Sequence, residues 1–454
     1  MSSLAHTDAV VPMAGLPMPQ RLFATLAVLS TLVLVVLDGA IANVALPTIH
    51  TELKVSAAAT VWVVTAYQLA LVMGLLPSAA LGQSLGYRKV FAGGVVVFTV
   101  ASVLCALAPS LTWLVIARFV QGLGAAPLMS LAVALLRHVF PPRMMGRVIG
   151  WNALVVALSS AIGPTIGAAV LSVASWPWIF AVNVPIGLVV LVAVRALPSP
   201  AGSGHALDGL SVLLNAAGFG CLVMGADAVI ERPETGLPLL AVSAASFIAL
   251  VRREAPRRAP LIPLDLLRRR SFRLSVIASV CCFSAQMSSY VALPFIFQHG
   301  FGLSAMMTGI GMTPWPLVVA FAGPVSGRLS DRMNGAVLCA VGGLTLAAGL
   351  LMAALWPESG SPVPLVAMTM VCGLGFGLFQ VPNNRNMLVS VEPERAGAAG
   401  GMQGTARLVG QTTGGLIMTV LFTLTPADVA PHLGLGVGAV LAALAGGVSA
   451  LRAR

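Results

Sequence analysis

Charged side chains are scarce in this chain. Only 9% of its 454 residues are Asp, Glu, Lys or Arg, against roughly a quarter in a soluble domain. So few charges exclude a water-exposed globule of this length. Acids are scarcer still, 14 against 25 basic residues. Cysteine is low as well. All six (Cys105, Cys221, Cys281, Cys282, Cys339, Cys372) lie in apolar stretches without CxxC or metal-ligand spacing, which leaves them as small apolar filler. No HExxH, Walker A or other ATP-binding element occurs, so no cofactor or metal is implied and the energy source to expect is an ion gradient. The first 20 residues hold Asp8 and three prolines and lack the pattern of a signal peptide; 1–21 reads as a short cytoplasmic tail.

What the chain has instead is apolar length. Hydrophobic residues make up 58% and mean hydropathy is +0.97. A bilayer core about 30 Å thick needs ~20 apolar residues per helix. Such runs occur near 22–47, 60–81, 89–108, 112–135, 148–173, 178–196, 208–230, 236–252, 274–298, 304–326, 336–356, 362–387, 397–424 and 434–452. The expectation is an all-α integral membrane protein with about 14 transmembrane helices. If the N-terminus is cytoplasmic, every Lys and Arg falls on that side except Lys54, Arg232 and the two inside helices, Arg118 and Arg407. By the positive-inside rule both termini are then cytoplasmic. The basic excess is thus a topology signal and not a nucleic-acid footprint.

An internal repeat organises the runs. Gly122-Leu123-Gly124 with Pro127 is matched by Gly373-Leu374-Gly375 with Pro382, and 163–168 (GPTIGA) by 410–415 (GQTTGG). Residues 22–196 and 274–454 read as two six-helix halves. Between them lie two linker helices (208–252) and a basic cytoplasmic linker (253–273). Related halves meeting at a midplane site are what alternating access requires.

Five segments then suggest a family: LDGAIANVALP (37–47), RFVQGLGAAP (118–127), SSAIGPTIGAAV (159–170), WPWIFAVNVPIG (176–187) and PERAGAAGGMQGTARLVGQTTGG (393–415). In this order the chain resembles the fourteen-helix drug:proton antiporters of the major facilitator superfamily, over essentially its whole length. A carboxylate inside an apolar helix is costly and marks function by default. Asp38 is ~13 Å from Pro47 and Arg118 ~9 Å from Thr112 at helical rise, a shared level that permits pairing. The resemblance implies proton coupling for Asp38 with Arg118 in its environment; a purely structural ion pair is the alternative. Gly163, Pro164 and Gly167 resemble the antiporter motif that marks exporters, with ordinary close packing as the other reading. Ser159 and Ala168 stand where that motif has its outer glycines.

The loop between helices 2 and 3 departs from the superfamily pattern G-x-L-a-D-R-x-G-R-K. Gln83 stands where that pattern has aspartate and Ala79 where it has glycine, while Gly86 and Arg88 are kept. The matching loop of the second half keeps Gly327, Asp331 and Arg332. The resemblance implies that this aspartate braces the closed cytoplasmic side, so Asp331 is expected to carry more of that latch. Arg407 lies deep in the thirteenth run, and is either satisfied by carbonyls or touches a polar group of the substrate. Tyr67, Gln68, Trp151, Asn152, Gln286, Tyr290, Trp315, Gln380, Asn383 and Asn384 are candidate cavity residues, with lipid-facing or packing roles equally open.

These readings imply a proton-coupled exporter of amphipathic organic compounds, monomeric, in the inner (plasma) membrane. They do not separate multidrug efflux from export of a single metabolite. A membrane-embedded enzyme would need a catalytic cluster at one membrane level, and none is visible. The charge count makes a direct prediction. In a cysteine-free background, single cysteines at 253–273 should react only with reagent admitted to the cytoplasm, and those at 231–235 with external reagent. External labelling of the linker would overturn the orientation.

Overall fold

The computed structural model describes residues 15–141, 144–199, 208–254, 264–330, 332–391 and 396–452. Among these the chain is helical throughout: α1 Gln20–Leu53, α2 Ala57–Leu85, α3 Tyr87–Ala106, α4 Leu111–Val139, α5 Met145–Val173, α6 Trp178–Ala196, α7 Gly209–Glu231, α8 Pro233–Glu254, α9 Arg270–Gly300, α10 Ala305–Leu329, α11 Gly335–Ala354, α12 Val363–Val389, α13 Ala396–Leu424 and α14 Ala430–Ala450. Helices satisfy their own backbone groups, which a bilayer core demands. Where they start at the polar boundary, serines complete the accounting. Ser56, Ser110 and Ser304 cap α2, α4 and α10 by accepting from the amides of Ala59, Trp113 and Met307.

Twelve of these spans are long and apolar enough to cross a membrane among the described residues, so the expected figure of fourteen stands as approximate. The two others, α5 and α13, are 29-residue helices. In α5 the apolar stretch counted is the shorter Leu158–Val173. For α13 the reason is chemical: Arg407, Gln411, Thr412 and Thr413 interrupt its apolar residues. The first helix also runs past the expected end at Pro47 to Leu53, where Lys54 turns the chain in the left-handed region at φ 53°.

The first six helices and the last six pair in the same pattern. In one half α1 packs on α5, α2 on α4, and α3 on α4 and α6; in the other α9 packs on α13, α10 on α12, and α11 on α12 and α14. The repeated glycines show why. A Cβ at Gly122 would lie 2.4 Å from the Tyr67 carbonyl oxygen of α2, and one at Gly373 would lie 2.4 Å from the Trp315 carbonyl oxygen of α10. Gly124 and Gly375 likewise allow backbone contact with Phe98 of α3 and Leu346 of α11. Small residues let helices approach to backbone distance, where dispersion holds them in the absence of a hydrophobic drive. The hairpin α7–α8 stands beside the seam, with α7 against α2 and α13. Asn215 Nδ2 donates to the Met73 carbonyl at 3.0 Å, and at the hairpin's base Arg253 grips Asp208 through two bonds of 2.7 and 3.0 Å.

On the side opposite the chain ends the halves are in contact. The His50 ring of α1 meets the His299 ring of α9 at 5.8 Å, and Gln298 Nε2 donates to the Val44 carbonyl at 3.2 Å. Thr165 of α5 and Thr313 of α10 share a hydroxyl hydrogen bond. Beside it, a Cβ at Gly309 would fall 2.3 Å from Ala168 Cβ and 2.6 Å from the Pro164 carbonyl oxygen. Gly309→Val should therefore hold the halves apart on this side. Double electron–electron resonance between labels at Glu52 and Ser359 should give a longer mean distance than in wild type. An unchanged distribution would show that this contact does not set the closed arrangement.

Candidate functional site

Asp38 lies midway along α1 and Arg118 in the first third of α4, 1% and 0% exposed. Arg118 Nη1 donates to Asp38 Oδ2 at 2.5 Å. The other carboxylate oxygen accepts from Gln121 Nε2 at 3.0 Å and from Asn183 Nδ2 at 2.7 Å. Gln121 is fixed in turn, accepting from Arg118 Nη1 (2.6 Å) and donating to Ser102 Oγ (2.9 Å). Arg118 Nε donates to the Val63 carbonyl at 3.0 Å, and its guanidinium lies over the Tyr67 ring at 4.1 Å and near the Phe180 ring at 5.4 Å. Five helices, α1 to α4 and α6, thus meet at one ion pair.

Local sequence explains the delivery of Asn183. Pro185 lacks an amide hydrogen, so the Ala181 carbonyl has no partner one turn on, and α6 breaks at Val182 between two helical pieces. Asn183 sits at that break, 1% exposed. Neither Asn183, Gln121 nor Ser102 was singled out from sequence. Two of them stand inside segments that carry the family resemblance, and Gln121 is three residues from Arg118, on the same helix face.

The antiporter segment divides its contacts between the halves. Gly163 and Gly167 press on Ala40 and Ile41 of α1 within the first half, whereas the Pro164 carbonyl and Ala168 face Gly309 of the second. At the loop between α2 and α3, Gly86 takes φ +99°, ψ 132°, a conformation that only glycine adopts freely. Gln83 is exposed, Arg88 half-buried, and Gly327 has only Val381 nearby. Arg332 is exposed; Asp331 lies outside the described residues.

The cavity candidates separate into groups. Tyr67 belongs to the ion-pair cluster and donates to the Val35 carbonyl at 3.3 Å. Asn383 takes the packing arrangement that the sequence left open: its amide donates to the Ser275 carbonyl and Ser279 Oγ and its oxygen accepts from Arg452, a knot joining α9, α12 and the end of α14. A buried amide with those partners holds helices together. Tyr290 and Trp315 meet edge to face at 5.2 Å, and Trp151 meets Phe140 at 6.0 Å. Gln68 Oε1, Asn152 Oδ1, Trp315 Nε1 and Arg407 Nε are buried without hydrogen-bond partners. Gln286, Gln380 and Asn384 are half-buried.

Two related helical halves, joined at a seam that holds unpaired polar atoms and beside a buried ion pair, define a polytopic membrane carrier. Comparison with known proteins agrees: residues 28–415 match the Major Facilitator Superfamily, and the chain belongs to it. It is 44% identical to the uncharacterized transporter YebQ of Escherichia coli (strain K12), covering 96% of this chain and 97% of that one. It is 32% identical to the riboflavin transporter RibZ of Clostridioides difficile (strain 630), over 82% and 81% of the two chains. It is 31% identical to a tetracenomycin C resistance and export protein of Streptomyces glaucescens, over 95% and 80%. A crystal structure of a D-xylose-proton symporter superposes with a TM-score of 0.70 at 13% identity, covering 94% and 97%, which shows the shared fold.

The ion pair makes a stability prediction. Removing one member of a fully buried pair leaves an uncompensated charge and costs about 3–5 kcal/mol. Arg118→Met alone should lower the unfolding free energy by that order, and the double variant with Asp38→Asn should recover most of the loss. Equal instability of the single and double variants in thermal unfolding would show that the two charges do not depend on each other.

Proposed function

We propose that the protein is a proton-coupled secondary transporter that exports amphipathic organic compounds by alternating access, as one of the fourteen-helix drug:proton antiporters. It works as a monomer in the inner membrane with both termini cytoplasmic. One observation carries the reading: a carboxylate held by three donors at the junction of five helices. Protonating Asp38 cancels its charge, leaves Arg118 without a counter-charge, and weakens the acceptor on which Gln121 and Asn183 converge. The helix that carries Asp38 also packs on α5 and touches α9, where the halves meet. A change in the knot therefore bears on the seam. Export as the direction is supported by the Gly163–Pro164–Gly167 segment and by the resistance and export function named for the Streptomyces relative.

A single-solute carrier is the second reading, favoured by the riboflavin transporter among the relatives. Growth of an efflux-deficient host across dyes, antiseptics and antibiotics separates the two, since a dedicated carrier protects against none or one. The coupling itself is tested in proteoliposomes. Asp38→Asn should abolish substrate-driven proton movement, and proton flux at the wild-type rate in that variant would remove Asp38 from the mechanism.

A further inference from the structure

The charges inside the bundle do not balance. Asp38 and Arg118 cancel each other. The other charged side chains among the described residues stand near helix ends, apart from Arg407. At 1.5 Å per residue Arg407 is about 16 Å from the start of α13, and Met129, which its Nη2 approaches at 3.9 Å, is about 15 Å from the end of α4. The guanidinium therefore reaches across from the second half to the first, at one depth.

Its partners are inadequate for a cation. A thioether is a weak acceptor. The Arg407 Nε is buried with no hydrogen bond, and no carboxylate among the described residues is within ion-pair distance. Satisfaction by backbone carbonyls, the structural alternative open from sequence, is thus not what the side chain shows. Other unpaired polar atoms accompany it on the helices of the seam: Gln68 Oε1 on α2, Asn152 Oδ1 on α5, Trp315 Nε1 on α10 and Thr412 Oγ1 on α13. Met129 and the Tyr290–Trp315 pair add adaptable apolar surface. A half-buried guanidinium without counter-charge, its Nε cut off from water, is held at a cost that an incoming anion removes.

We propose that Arg407 is the recognition site for an anionic headgroup, so that this carrier takes organic anions with an apolar body (carboxylates, sulfonates or phosphates) in preference to cations. The inference rests on the transport reading and supplies its substrate class. An arginine suits the role because its planar fork pairs with two oxygens of such a group.

The test is equilibrium binding of two probes that share an aromatic skeleton, radiolabelled anilinonaphthalene sulfonate and the uncharged phenylnaphthylamine, to full-length protein in nanodiscs. Wild type should bind the sulfonate more tightly. Arg407→Gln should weaken sulfonate binding by about ten-fold or more, the worth of a hydrogen bond to a charged group, and leave the neutral probe unchanged. Arg407→Lys should fall between them. Thermal unfolding provides a second readout: a ligand-directed arginine is costly to the empty protein, so Arg407→Gln should unfold at the same or a higher temperature. A structural arginine would lower it. Adding an anionic phospholipid to the nanodiscs distinguishes the sources of the anion. Competition with the sulfonate points to a lipid headgroup, and its absence to a soluble compound. Equal binding of both probes, or unchanged sulfonate affinity in Arg407→Gln, overturns the proposal. Should Arg407→Gln fail to fold, a wild-type preference for the sulfonate that survives in Arg407→Lys supports it, and no preference in either overturns it. Failure of the exporter reading shows differently, as sulfonate binding without substrate-driven proton movement in proteoliposomes.

Discussion

A charge inside a bilayer-spanning bundle must be matched, and the Asp38–Arg118 pair is where this protein meets that constraint. Matching one carboxylate with one guanidinium leaves lone pairs and N–H groups over, and these dictate the surroundings. Gln121 and Asn183 supply the second carboxylate oxygen, Val63 takes the arginine Nε, and Tyr67 and Phe180 cover the guanidinium with aromatic surface. The break of α6 at Val182 and the close approach of α4 to α2 at Gly122 serve the same geometry. Much of the first half's packing follows from one buried pair.

The parts of this that sequence made legible were those where the chemistry is improbable in a membrane. Asp38 and Arg118 stood out because nothing else in their apolar runs is ionisable, and helical rise put them at one depth. The doubled Gly-Leu-Gly announced two halves because each glycine answers to a backbone contact repeated in both. Uncharged polar residues were harder. Asn183 and Asn383 look alike in an apolar run, yet one completes the ion pair and the other ties α9, α12 and α14. Periodicity tells which face a residue is on, not whether water or another amide is waiting there. The same limit explains α13, whose polar residues make it a poor membrane span by composition although it packs beside α2 and α9.

The repeat is exact in backbone logic and broken in charge. With Gly122 aligned on Gly373, Arg118 corresponds to Thr369 and Gln121 to Cys372. Thr369 needs no partner from another helix, since its hydroxyl donates to the Val366 carbonyl at 2.7 Å. With Gly163 aligned on Gly410, Arg407 corresponds to Ser160. One half carries a neutralised pair and the other a bare cation, on scaffolds that otherwise pack alike. Fold alone therefore does not assign tasks to the halves; the few charged positions do.

That division bears on how a proton and a substrate would be linked. If both bound at one residue, exchange would be direct competition. Here the proposed proton site and the proposed anion site lie in different halves, so their coupling has to pass through packing. The second helix is the physical route. It accepts Arg118 Nε at the Val63 carbonyl and lays Tyr67 against the guanidinium, while two residues from Val63 its Thr65 faces Gly415 of α13, the helix that holds Arg407. A Cβ at Gly415 would fall 2.7 Å from the Thr65 hydroxyl, so α2 and α13 have no slack at that level. A shift of α2 that follows loss of the Asp38 charge is then felt along α13. Close packing of this kind switches between discrete arrangements and does not deform continuously. On the proposed reading, the seam between α2 and α13 converts a change of charge in one half into a change of site in the other.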